Sequence, residues 1–83
     1  MQRVEFTIEP FVEGQPGSHV TQPIAAVRAL GVEVEIGPFG TVCNVHDDRI
    51  AEVVSTIVGT ALSHGATHVN LDIAAQPDER GDG

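Results

Sequence analysis

Midway along the chain, Val32–Asn44 reads VEVEIGPFGTVCN. Val32, Val34 and Ile36 alternate with Glu33, Glu35 and Gly37, the period of a strand with one apolar and one acidic face. Gly37-Pro38 is a turn signal, and strand pairing must restart beyond Pro38, which has no N–H to donate. Phe39–Asn44 is the expected returning strand: Val42 and Cys43 suit a sheet, and Gly40 leaves a gap above the backbone. A tight hairpin at mid-chain, with a helical pattern on either side, leaves few folds open.

Before the hairpin, Arg3–Glu9 puts Val4, Phe6 and Ile8 on one face and Arg3, Glu5, Thr7 and Glu9 on the other, so it reads as a strand with one buried face. Pro10 ends it, and Phe11–Gly17, with two Gly and a Pro around Gln15, reads as a loop. Val20, Ile24, Val27 and Leu30 then recur at the helical period. Pro23 is best tolerated in a first turn, so Ser18–Thr21 is expected to be a lead-in turn, with the regular helix starting near Gln22. Gly31 is its stop.

After the hairpin, Asp47 is the expected N-cap of a second helix, with Asp48 favourable near its N-terminal dipole. The apolar stripe of this helix is Ile50, Val53, Val54, Ile57, Val58, Ala61 and Leu62, and Gly65 ends it. The opposite face, Ser55, Thr56, Gly59, Thr60 and Ser63, is small and uncharged: either a quiet solvent face or a surface that another element can approach. Thr67–Ala74 alternates once more and is the expected last strand. Residues 75–83 are polar and contain Pro and Gly, and are expected to be a disordered tail.

The order β-α-β-β-α-β is that of the split βαβ, or ferredoxin-like, α+β sandwich. Right-handed crossovers place both helices on one sheet face. The four strands then form an antiparallel sheet of order 4-1-3-2, within one domain spanning residues 1–74. The other sheet face carries Glu5, Thr7, Glu9, Glu33, Glu35, Asn70 and Asp72.

Composition now bears on how such a domain is held together. A chain of 83 residues buries only about 60% of its unfolded surface, and this one has no Trp, no Tyr and three Phe. Its single cysteine, Cys43, excludes an intrachain disulfide and sits mid-strand, where a buried reduced thiol is expected. Self-association is the remaining remedy for a thin core, so a homo-oligomer is expected. The opening residues do not read as a leader, because Arg3 and Glu5 interrupt at once, and no apolar run approaches the roughly 20 residues of a membrane span. A cytoplasmic protein with no membrane partner is the expectation.

Four Lys and Arg against twelve Asp and Glu leave a net charge of −8. A phosphate backbone would be repelled, which disfavours nucleic acid as a partner. A cationic ligand is compatible with this charge, although composition by itself favours the plainer reading of solubility alone. His19, His46, His64 and His68 fall in four different places and lack ligand spacing, so no metal site is read. Cys43 has no CxxC partner, no Ser/His/Asp arrangement is legible, and the carboxylates form a face rather than an acid/base pair. Neither catalytic residues nor a cofactor are indicated.

The run EFTIEPFVEG, then GSHV, then LGVEVEIGPFGTVCN resembles the small thiamine-binding protein family, long catalogued as a domain of unknown function. Its members show an opening strand ending in Pro, a Gly/Ser loop leading into Ser-x-Val, and a hairpin with Gly-Thr followed by Val or Ile and an acidic residue. Here these are Pro10, Ser18-His19-Val20 and Gly40-Thr41, with Asn44 where an acid is usual. The likeness covers roughly residues 3–73. It implies a ferredoxin-like fold, dimers or tetramers built through the sheets, and binding of thiamine or its hydroxymethylpyrimidine part without catalysis.

Thiamine carries a fixed thiazolium charge and an aminopyrimidine with donor and acceptor edges. An acidic protein attracts the first, and Thr, Ser or Asn can read the second. The long Pro10–His19 loop is larger than a plain strand-to-helix connection needs, and it is expected to meet the Phe39–Asn44 strand at the ligand site. The candidates are Thr41 and Asn44 as hydrogen-bonding groups, Ser18 and His19 as loop contacts, and Phe39 as a ring cover beside Gly40. Thr7 and Glu9 form the wall on the first strand. Each has a plainer role too: Thr41 as a good strand residue, Ser18 as a helix-entry cap. Two other readings of the fold compete with this one. A regulatory or structural module sensing another small molecule is the alternative. An acylphosphatase-like enzyme is disfavoured, because the Arg- and Asn-bearing phosphate loop is missing between Pro10 and Ser18.

Overall fold

The alternation in the opening strand places Val4, Phe6 and Ile8 of β1 (Gln2–Glu9) in the core and leaves Thr7 and Glu9 exposed. The computed structural model describes residues 1–11, 17–38 and 40–76. After β1 come α1 (Ser18–Ala29), β2 (Val34–Ile36), β3 (Thr41–Val45), a 3₁₀ turn (Asp47–Arg49), α2 (Ile50–Ser63) and β4 (His68–Ala75). The sheet is antiparallel with order β2-β3-β1-β4, the expected order read from its other edge. The fold is ferredoxin-like. The last strand runs through Ala75, and the Gln76 N–H bonds the Met1 carbonyl at 3.1 Å; the rest of the expected tail lies outside the described residues.

Register assigns every strand residue to a face. Val4 lies opposite Cys43 and Ile73, and Phe6 opposite Thr41 and Leu71. Val34 lies opposite Cys43, and Ile36 opposite Thr41. These residues face the helices. From α1 and α2, Ile24, Val27, Val53, Ile57 and Ala61 close over them as one core with Val32, Cys43 and Val45. Burying a side chain the size of Ile57 stabilises by about 1.5–3 kcal/mol, a large share of a small domain's total.

Three local details depart from the sequence expectation. The first helix is regular from Ser18, with Gly17 as its cap and Pro23 inside it. Val20 and Thr21 N–H both reach the Gly17 carbonyl, at 3.0 and 3.1 Å, so the helix is already formed before Pro23 removes one bond. Pro23 is fully buried, and its packing offsets that loss. Asp47 does not cap the second helix. Its carboxylate instead accepts a bond from Gln2 Nε2 at 2.7 Å and lies 3.4 Å from the Met1 ammonium, which together hold its pKa below the usual carboxylate range. The second strand begins only at Val34, three residues before the turn, while the third extends one residue past Asn44.

Both helix stops are as expected, with Gly31 at φ 84° and Gly65 at φ 97°, where an L side chain is strained. At the far end of the sandwich, Arg49 Nη1 donates to the Leu30 carbonyl at 2.8 Å, tying the end of α1 to the start of α2. On the small face of α2, Ser55 and Thr56 donate to the Glu52 carbonyl and Ser63 to that of Thr60. Those hydroxyls are therefore satisfied within the helix itself.

Gly59 lies in the interior of α2 with nothing within 4 Å of where a Cβ would stand. Gly59→Ala is expected to stabilise the fold by about 0.4–1 kcal/mol by restricting the unfolded chain. Ile57→Ala, two residues away and fully buried, is expected to destabilise by about 2–5 kcal/mol. Urea unfolding of the two variants checks both signs.

Candidate functional site

One end of the sandwich gathers the end of β1, the start of α1, the β2–β3 turn and the start of β4. The chain is drawn together there by backbone and side chain alike. Thr67 N–H bonds the Glu9 carbonyl at 2.8 Å, anchoring the entry to β4. His19, only 8% exposed, places Nε2 2.6 Å from the Pro10 carbonyl. A carbonyl only accepts, so Nε2 is the donor in this bond. Gly17 lies against that ring: a Cβ there would stand 2.8 Å from His19 Nδ1.

Thr41 begins β3 on the helix side, 8% exposed, beside Phe6 and Ile36. Cys43 shares its face and is 1% exposed. Gly40 turns the other way. A Cβ on it would meet Thr7 Cγ2 and the Phe6 carbonyl at 3.3 Å and Glu5 Oε2 at 3.5 Å. Its missing side chain therefore leaves the threonine methyl and the glutamate carboxylate of β1 uncovered.

The open sheet face can be read in rows. Glu35, Val42, Glu5 and Asp72 lie side by side across the four strands. Towards the gathered end come Gly40, Thr7 and Asn70, then Glu9 and His68. Towards the other end come Asn44, Arg3 and Ala74. Asn70 Nδ2 donates to Glu9 Oε2 at 3.3 Å, and Arg3 Nη1 to Glu5 Oε1 at 3.2 Å. The face is acidic, with Arg3 its one fixed cation among the described strand residues. Such a surface attracts a cation and offers amide and hydroxyl groups to orient it.

The expected site residues thus fall into two groups. Thr7, Glu9 and Gly40 meet on the open face at the gathered end, while Ser18, His19 and Thr41 lie on the helix side of the same end. Asn44 is on the open face opposite Arg3, about 10 Å along β3 from Thr41 and on the other side of the sheet. Phe39 lies outside the described residues. Glu5 and Asn70 belong with Thr7 and Glu9, a grouping that the period-2 alternation of both strands already implied. Among the described residues no three His, Cys, Asp or Glu side chains come close enough to hold a metal ion. His64 sits at the end of α2 with Nδ1 2.9 Å from the Thr60 carbonyl. An open apolar groove, lined by Thr21, Ile24, Ala25, Arg28 and Ile36, runs between α1 and β2 and contains none of the expected site residues.

The described residues thus form a ferredoxin-like sandwich with an acidic open sheet face. The match of residues 4–83 to the model of the thiamine-binding protein family places the chain in that family. Comparison with curated proteins gives no match. Among solved structures, a domain of unknown function, DUF77, from Bacillus cereus superposes with a TM-score of 0.67 at 24% identity, covering 93% of this chain and 77% of its own. A proposed thiamine biosynthesis/salvage protein from Thermotoga maritima gives 0.67 at 23% identity, covering 90% and 83%. A Streptococcus pneumoniae protein gives 0.60 at 22%, covering 98% and 92%. At these identities the likeness concerns the fold. Among the described residues no helix is long and apolar enough to cross a membrane.

Burial raises the Cys43 pKa above its ordinary value. The folded state therefore holds this proton more tightly than the unfolded chain, which releases it near about pH 8.5. Stability from this group is complete below that pH and falls as pH rises through it. Urea unfolding between pH 7 and 10 is expected to show a steeper loss in the natural chain than in Cys43→Ala, and equal slopes would contradict it.

Proposed function

We propose that the protein binds thiamine, or its hydroxymethylpyrimidine part, without turning it over, as a cytoplasmic homo-oligomer. Membership of the thiamine-binding family carries this reading. The site we favour is the open face at the gathered end, where Thr7, Glu9 and Gly40 meet Glu5 and Asn70. The carboxylates of Glu5 and Glu9 would face the thiazolium charge, and the Asn70 amide and Thr7 hydroxyl would pair with the aminopyrimidine edge. Gly40 supports it by leaving the floor between Glu5 and Thr7 free. Ser18, His19 and Thr41 would support the same end from the helix side. Asn44 would lie beyond reach of a ligand there.

Calorimetric titration with thiamine and with neutral hydroxymethylpyrimidine tests this. Glu5→Gln is expected to weaken thiamine by about 0.5–1 kcal/mol, because the pair is partly solvent-screened, and to leave the neutral fragment unchanged. Asn70→Ala should weaken both by about 0.5–1.5 kcal/mol. Thr41→Val and Asn44→Ala sit on opposite faces and locate the ligand independently: a loss in Thr41→Val alone would move it to the helix side. A ligand at 100 times its Kd should stabilise the fold by about 2.7 kcal/mol, so no thermal shift with either compound at millimolar concentration would sink the proposal.

A further inference from the structure

We propose that the open face takes a phosphate ester of thiamine, with the phosphate held by Arg3 and Asn44. The inference rests on the proposed function and extends its site one row along β1, to Asn44, which thiamine itself does not reach. From the far end to the gathered end, the outward residues of β1 are a cation at Arg3, an anion at Glu5, a hydroxyl at Thr7 and an anion at Glu9. Thiamine monophosphate, taken in the same direction, is an anion, a fixed cation and a neutral aminopyrimidine. Laid along β1, each part of the ligand meets its complement. Thiamine alone leaves Arg3 without one.

The row at Arg3 differs from the other rows of this face. Asn44 stands opposite Arg3 on β3, and Ala74 opposite it on β4. Neither is charged, so no carboxylate is fixed directly across from the guanidinium. Glu33, next along that row, precedes β2 and lies outside the ladder. Among the described residues Arg3 uses only Nη1, on Glu5 Oε1 at 3.2 Å, and its side chain is 39% exposed. Nε and Nη2 are left to donate to phosphate oxygens, which a guanidinium fork suits. The exposed Asn44 amide adds two N–H donors. Glu5 stands between the two halves of the site, with Oε1 on Arg3 and Oε2 towards the gap above Gly40. Successive outward residues are about 7 Å apart along a strand. Four bonds of about 1.5 Å each join the thiazolium ring to the ester phosphorus, so the extended linker covers most of the step from Glu5 to Arg3. A chain this acidic repels a free anion, but here the phosphate arrives tethered to a cation that the Glu5 row attracts.

Calorimetric titration with thiamine and with thiamine monophosphate reads the ratio of the two affinities. The natural chain should bind the monophosphate about three- to fivefold more tightly, the scale of a solvent-exposed charge pair. Arg3→Gln should bring the ratio to parity, whereas Arg3→Lys, which keeps the charge, should retain a preference. Asn44→Asp, which sets a carboxylate beside Arg3, should reverse the preference in favour of thiamine. The ratio is taken within each variant, so a general loss of folding weakens both compounds alike and leaves it unmoved; urea unfolding of each variant checks that the fold is kept. Thiamine binding with no preference for the ester in the natural chain, or a preference that persists in Arg3→Gln, would overturn the phosphate subsite and leave the proposed function standing. Binding of neither compound would overturn both.

Discussion

Strand β1 holds the molecule together. Every strand pairing except the β2–β3 hairpin runs through it, with β3 on one side and β4 along its full length on the other. Its inward residues, Val4, Phe6 and Ile8, form the floor of the core on which both helices rest. Its outward residues, Arg3, Glu5, Thr7 and Glu9, form the middle of the open face. A single eight-residue alternation therefore supplies both the stability of the fold and the chemistry of the proposed site. No charge can be moved by one position along β1 without exchanging the two roles.

The electrostatics follow from the same arrangement. The acidic side chains that make the chain strongly anionic are partly collected in one row of the sheet, with Glu35, Glu5 and Asp72 flanking the apolar Val42. Arg3 relieves part of that repulsion through Glu5. Elsewhere the few cations serve local ends: Arg49 ties the ends of the two helices together and pairs with Glu52. The face that remains is anionic and rich in short polar groups. This is the chemistry that membership of a thiamine-binding family leads one to look for.

Much of this was legible in the sequence because it is periodic. The three clearly alternating segments, the two helical stripes and the glycine stops give the element order, and handedness then gives the sheet. What escaped was set by contacts between distant parts of the chain. Asp47 looks like a cap to a local reading, but it is taken by Gln2 and the Met1 ammonium, 45 and 46 residues away. The helix entry at Ser18 survives Pro23 because the proline ring is buried, and burial is not written in a propensity. The division of the candidate site was in reach: Thr41 and Asn44 are three apart, an odd number, so a regular strand must point them to opposite faces. The grouping of Glu5 and Asn70 with Thr7 and Glu9 was equally available from parity, and needed only the β1–β4 register to become definite.

The shortness of β2 has a consequence for how far such sheets can grow. A sheet that offers a good template at both edges can add copies without limit, and open-ended addition of that kind builds fibres. Here one edge offers three residues before a turn at Gly37-Pro38, too few ladder bonds to hold a further strand. Among the described strands β4 is the longer edge, so any edge-to-edge addition would have to use it and would stop once it was paired. The blunt hairpin thus removes one of the two margins along which such a sheet could be extended.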